Sequence, residues 1–323
     1  MAVPSFRNLA VPASFFGMPL GLLALGIAWR AAARIWSVPY LVGEALILAG
    51  GGLWFLLFAL YLAKWAWSRG AAQSEFEHPV QCCFVGLAGV VASLASIGMA
   101  PHAPWLARAL FVLGGAWTLV FALYRTGRLW MGARAPETTT AVLYLPTVAG
   151  GFVTGSAAAA LGHADWGQLA FGAGLFAWLA IESVLLHRLY TAAPMAPALR
   201  PTMGIQLAPP AVCAVAYLNV GGGPDLFSHA LLGYSLLQAL ILLRLWPWIG
   251  AAGATPAWWG VSFGAAALPT AAIKLVADGD SGAVAILAPW LFGAGNVAIA
   301  ALAVLTLRLL VQGRLLVPAV PRP

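Results

Sequence analysis

The chain has 323 residues, 62% of them hydrophobic and only 8% charged, with a mean hydropathy of +0.91. A soluble core with a wetted surface cannot be built from that mixture, and the alternating segments of about ten residues that mark a membrane barrel are absent. The composition predicts an all-α polytopic membrane protein, a single transmembrane domain over 1–323 embedded in a lipid bilayer, whose net charge of +7 calls for no nucleic-acid partner.

In chain order, apolar runs bounded by charge, proline or glycine clusters predict ten helices. They fall at about 11–30, 41–66, 80–99, 104–130, 138–161, 166–190, 203–220, 226–249, 257–277 and 282–312. The first run, with Arg7 ahead of it and Ala31 to Ala33 behind, has some look of a signal peptide. Arg30 directly before the alanines, and Pro12 and Pro19 within a full spanning length, argue for a retained first helix.

The even runs end alike, at Lys64, Arg125, Arg188, Arg244 and Arg308, each about 60 residues after the last. The repeating unit is therefore a helical hairpin used five times in parallel, a unit able to close into a ring. Of the 16 Lys and Arg, only Arg30, Arg34, Arg108 and Lys274 fall on the side away from the termini, which predicts cytoplasmic N- and C-termini.

The odd runs carry Pro19, Pro146, Pro209, Pro210 and Pro269 and are rich in small residues, whereas the even runs are rich in Leu, Phe and Trp. Proline frees a carbonyl, which in lipid is tolerable only beside other helices or a wet cavity. The odd helices are expected inside, kinked at Pro19, Pro146, Pro209 and Pro269, and the even ones against lipid. Candidate pore-lining positions are Gly17 and Gly21 on the first helix, Gly86 on the third, Val148 and Phe152 on the fifth, Pro210 on the seventh and Gly264 on the ninth. The ninth run, WWGVSFGAAALPTAAIKL, places one large ring, Phe263, among small residues. It reads either as the plug of a narrow lumen or as an ordinary knob in helix packing.

Few residues offer other chemistry. Glu182 is an intramembrane acid, read mainly as half of a local ion pair with His187 or Arg188. Glu44 is expected at an interface. Lys274 either snorkels to the outer surface or contributes to an anion-attracting mouth. The five histidines, His78, His102, His163, His187 and His229, have no ligand spacing, so no metal is predicted; Cys82, Cys83 and Cys213 read as packing residues. Without a nucleophile elbow, phosphate-binding loop or dinucleotide fingerprint, the sequence does not read as an enzyme and implies no cofactor.

Several motifs together carry a resemblance: Phe16-Gly17-Met18-Pro19-Leu20-Gly21, Glu77-His78-Pro79-Val80, Tyr144-Leu145-Pro146, Phe171-Gly172-Ala173-Gly174, Thr202-Met203-Gly204-Ile205 and Ser262-Phe263-Gly264. With Leu207-Ala208-Pro209, Gly233-Tyr234 and Leu243-Arg244-Leu245, they span nearly the whole chain. The sequence thereby resembles the bacterial tellurite-resistance TehA family, relatives of the plant slow-type anion channels. The resemblance implies ten helices in five tandem hairpins around a central pore, a homotrimer with one pore per subunit in the inner (plasma) membrane of a bacterium, and a gating phenylalanine that falls on Phe263. It implies a gated channel for small anions, or a proton-coupled carrier or exporter of dicarboxylates or oxyanions such as malate, sulfite or tellurite.

Overall fold

The computed structural model describes residues 11–132, 134–251 and 253–316. Among the described residues every regular element is helical. Helix α1 (Gly17–Ile35) follows a 3-10 turn at Ala13–Phe16 and leads to α2 (Tyr40–Trp67). A short amphipathic α3 (Arg69–Glu77) comes before α4 (Cys83–Met99) and α5 (Pro104–Trp130). Next, a 3-10 turn (Ala141–Leu143) and a π-helical segment (Leu145–Ala149) open into α6 (Gly150–Ala160), which is followed by α7 (Ala164–Thr191). A 3-10 run (Pro197–Leu207) feeds α8 (Ala208–Asn219), which precedes α9 (Leu226–Gly250). A last 3-10 run (Pro256–Val261) feeds α10 (Ser262–Ala277), and α11 (Ala283–Val311) completes the order. Eight of these stretches are long and apolar enough to cross a membrane, while α4 is apolar but shorter. The chain is a multi-pass membrane protein.

Burial sorts the helices into two populations. In the most hydrophobic windows of Ala13–Ile35, Ala141–Ala160 and Pro256–Ala277, 72–83% of residues are buried, against 22–33% for α2, α5, α7, α9 and α11. Helices as apolar as α2 that leave most of their surface uncovered are suited to lipid rather than to water. Consecutive helices pack as α1 on α2, α4 on α5, α6 on α7, α8 on α9 and α10 on α11. The inner members also touch in a closed cycle, α1 to α4, α4 to α6, α6 to α8, α8 to α10, and α10 back to α1.

Glycine sets how close these helices lie. A Cβ on Gly26 would sit 2.8 Å from the Gly43 carbonyl oxygen, and one on Gly43 would sit 2.9 Å from that of Gly26. The same reciprocal contact recurs between α4 and α5 at Gly89 and Gly114, 2.7 Å each way, and between α6 and α7 at Gly155 and Gly167, at 2.8 and 2.7 Å. On α11, a Cβ at Gly295 would meet the Ala265 carbonyl at 2.6 Å. In lipid there is no hydrophobic gain from bringing helices together, so backbone proximity and the dispersion contacts it allows do that work. Indole donors add to it: Trp54 of α2 and Trp117 of α5 each donate to an α4 carbonyl, of Ala88 and Val85, at 2.9 Å.

The prolines differ from expectation. Pro19 and Pro209 lie in the first turns of α1 and α8, where a 3-10 segment gives way to α-helix and an amide has least use, so they start α-helices instead of kinking them. Pro146 lies within the π segment, whose wider turn absorbs the missing bond, and Pro269 is interior to α10. Proline is not confined to the inner helices, since Pro247 and Pro289 are interior to α9 and α11. Helix α3 was not anticipated because nine mainly polar residues leave no spanning signal. Arg7 and Arg322, both counted on the basic side, lie outside the described residues.

Gly89→Ala should destabilise the protein by about 1–3 kcal/mol, because its methyl meets backbone that cannot move aside. Gly172→Ala, with nothing within 4 Å of the added atom, should be neutral or stabilising by up to about 1 kcal/mol. Thermal unfolding of the two variants in one detergent checks the contrast.

Candidate permeation pathway

Because the five inner helices run the same way, all their N-terminal ends meet at one end of the cycle and all their C-terminal ends at the other. Each end holds a cavity. The N-terminal one, about 100 Å³, is lined by Gly17 and Leu20 of α1, Phe84 of α4, Tyr144 and Val148, Phe152 of α6, Thr202, Pro209 of α8, and Trp259. Among the described residues no Lys, Arg, Asp or Glu lines it. The C-terminal cavity, about 390 Å³, is lined by Ala24, Arg30 and Arg34 of α1, Leu94 of α4, Ser156 of α6, Asn219 of α8, and Thr270 and Lys274 of α10.

Among the described residues only Phe263 and Val212 line both cavities. The Phe263 ring, 7% exposed, lies between them, in the first turn of α10. Its neighbours are small for a reason other than leaving the ring loose. The Ser262 hydroxyl is turned to the Trp259 and Gly17 carbonyls, at 2.8 and 3.3 Å, and a Cβ on Gly264 would strike Leu207 at 2.7 Å. Those contacts pack the backbone on either side of Phe263 against α1 and the segment before α8.

Of the positions expected to line a pore, Gly17, Val148 and Phe152 face the N-terminal cavity. Gly21, Gly86, Pro210 and Gly264 line neither cavity. Gly21 makes room for Ser262 and Gly264 for Leu207, while Gly86 faces outward, its missing side chain replaced by the Phe121 ring, 2.5 Å from an added Cβ. A glycine on an inner helix signals close contact on some side, and sequence does not say which. Val212 was missed, as one valine among many apolar residues.

Glu182 is not the ion pair that its neighbours suggested. Among the described residues neither His187 nor Arg188 bridges it; five and six positions away on α7, they face elsewhere. Instead the buried carboxylate accepts five hydrogen bonds from uncharged donors. The Tyr144 hydroxyl and the Trp178 indole, at 2.9 Å, reach one oxygen. The Tyr234 hydroxyl at 2.6 Å and the Gln206 and Gln238 amides at 3.1 and 3.5 Å reach the other. This cage ties α7 and α9 to the segments that open α6 and α8. Glu182 lines neither cavity, but Tyr144 lines the N-terminal one. Glu44 does sit near a surface, held by both Arg30 nitrogens at 2.9 Å and by His102 at 2.7 Å.

Residues 10–307 match the voltage-dependent anion channel family. A tellurite resistance protein TehA homolog from Haemophilus influenzae is 34% identical over 95% of this chain and 93% of its own length. The S-type anion channel SLAH2 of Arabidopsis thaliana is 25% identical over 92% of this chain, which spans 59% of that relative's length. With a family match over nearly its whole length and a relative at 34% identity, the chain belongs to the voltage-dependent anion channel family.

Proposed function

We propose that this protein is a gated channel for small monovalent anions, crossing the membrane ten times as five hairpins, with its pore on the axis of the inner helices and its gate at Phe263. The observation that carries this reading is the position of Phe263 and Val212 between the two cavities. An apolar constriction closes a pore by sterics and by dewetting. The excess of basic residues on the side of the termini supports a cytoplasmic location for both, with the N-terminal cavity facing inward, and the Haemophilus relative supports a bacterial plasma membrane. A homotrimer fits the broad apolar groove of about 680 Å³ between α5 and α7, bordered by small residues such as Gly115 and Ala173.

With apolar walls and, among the described residues, no charged side chain in the N-terminal cavity, the pore should favour anions that shed water easily, nitrate and iodide over chloride, with sulfate lagging. Phe263→Ala is expected to give a large constitutive anion conductance with that order unchanged, and Phe263→Leu an intermediate one, measured as currents in planar bilayers or oocytes. A folded but silent Phe263→Ala protein, destabilised by about 3–5 kcal/mol, would identify the ring as a packing knob instead.

One observation favours the second reading, a proton-coupled carrier: the buried acid Glu182 touches the vestibule wall through Tyr144. On the channel reading, Glu182→Gln lowers stability, because the Tyr and Trp donors lose a charged acceptor, yet conductance in the Phe263→Ala background persists without a pH gradient. Uptake by reconstituted protein that requires a pH gradient and disappears in Glu182→Gln would replace the channel with the carrier.

A further inference from the structure

The two ends of the inner ring are electrically unlike. Aligned peptide dipoles leave each helix with partial positive charge at its N-terminus and partial negative charge at its C-terminus. The N-terminal cavity therefore meets several positive helix ends and, among the described residues, is lined by no charged side chain. The C-terminal cavity meets the carbonyl ends of all five inner helices, which repel an anion, and there the lining carries Arg30, Arg34 and Lys274. An anion path through this end needs side-chain charge to offset the helix ends.

The three cations are not equivalent. Arg30 is held by both oxygens of Glu44 and by the Gly98 carbonyl at 3.1 Å, so its charge is answered within the protein. Among the described residues neither Lys274 nor Arg34 has a hydrogen-bond or ion-pair partner. Lys274 is half-buried and lies within electrostatic range of both Arg34 and Asp278. Asp278 also lines the cavity. Two unpaired cations against one carboxylate leave a single positive charge over. An ammonium in a half-buried site with no acceptor is costly, and an anion bound between it and the guanidinium removes that cost.

We propose that Lys274 and Arg34 form a binding site for one small monovalent anion in the vestibule at the C-terminal ends of the inner helices. The site deepens the channel reading and rests on it for its role in conduction, though not for its occupancy. The single surplus charge selects against doubly charged anions, whose second charge would face Asp278. The site loads anions at the end where the helix dipoles oppose them; at the other end the helix ends suffice.

Two measurements test this on the full-length protein. Crystals grown in bromide should show an anomalous peak beside the Lys274 ammonium, lost in Lys274→Gln and kept in Lys274→Arg. In the Phe263→Ala background, Lys274→Gln should raise the half-saturating chloride concentration about five- to tenfold, the order expected when a nearby unit charge is removed at a wet surface. The effect should appear only from the side facing this vestibule, and Lys274→Arg should restore it. An empty vestibule in the bromide maps, or an unchanged half-saturation in a conducting Lys274→Gln protein, overturns the proposal. A silent Phe263→Ala protein that still binds bromide at Lys274 removes the channel reading and leaves the site standing.

Discussion

Backbone-to-backbone contact between inner and outer helices is what the rest of this structure depends on. At Gly26 with Gly43, Gly89 with Gly114 and Gly155 with Gly167, neither partner has space for even a methyl group. A bilayer supplies no hydrophobic pressure to press helices together, and packing forces act only at short range. The recurrence of one contact in three successive pairs gives those pairs a common geometry, and like pairs placed side by side can close on themselves. The pair α8 and α9 has no such reciprocal glycine. There Glu182 takes a comparable role, since its cage joins α7 and α9 to the segments opening α6 and α8.

Closing the ring from parallel inner helices has an electrostatic consequence that no single helix carries. Partial charges that would cancel in an antiparallel bundle instead add at each end. The apolar wall of one cavity and the basic wall of the other follow that asymmetry. Between them lies Phe263, flanked by Ser262 and Gly264, which pack against α1 and the segment before α8.

The non-α segments are concentrated at one level. Pro197–Leu207, Pro256–Val261 and the π segment Leu145–Ala149 all precede inner helices and all border the N-terminal cavity. Non-helical backbone at such positions needs acceptors and donors from elsewhere in the protein. Two of these segments are tied to α7 by side chains, since Gln206 in the 3-10 run and Tyr144 at the head of the π segment both donate to Glu182.

The sequence by itself determined the class of the protein, its family and the order and approximate bounds of its long helices, because those rest on hydropathy, chain punctuation and motifs that are local in the chain. It also singled out Phe263, since one large ring among small residues is visible in a single helix. Tertiary structure alone decided which face of each helix looks where. Gly17 and Gly86 are alike in sequence, yet one faces a cavity and the other the Phe121 ring. Nor could spacing along α7 reveal that Glu182 is answered by Tyr144, Gln206, Tyr234 and Gln238, residues 24–56 positions away, instead of by the histidine and arginine beside it. Helix rotation about its own axis is set by the sum of contacts with several neighbours at once, and those neighbours come from distant parts of the chain.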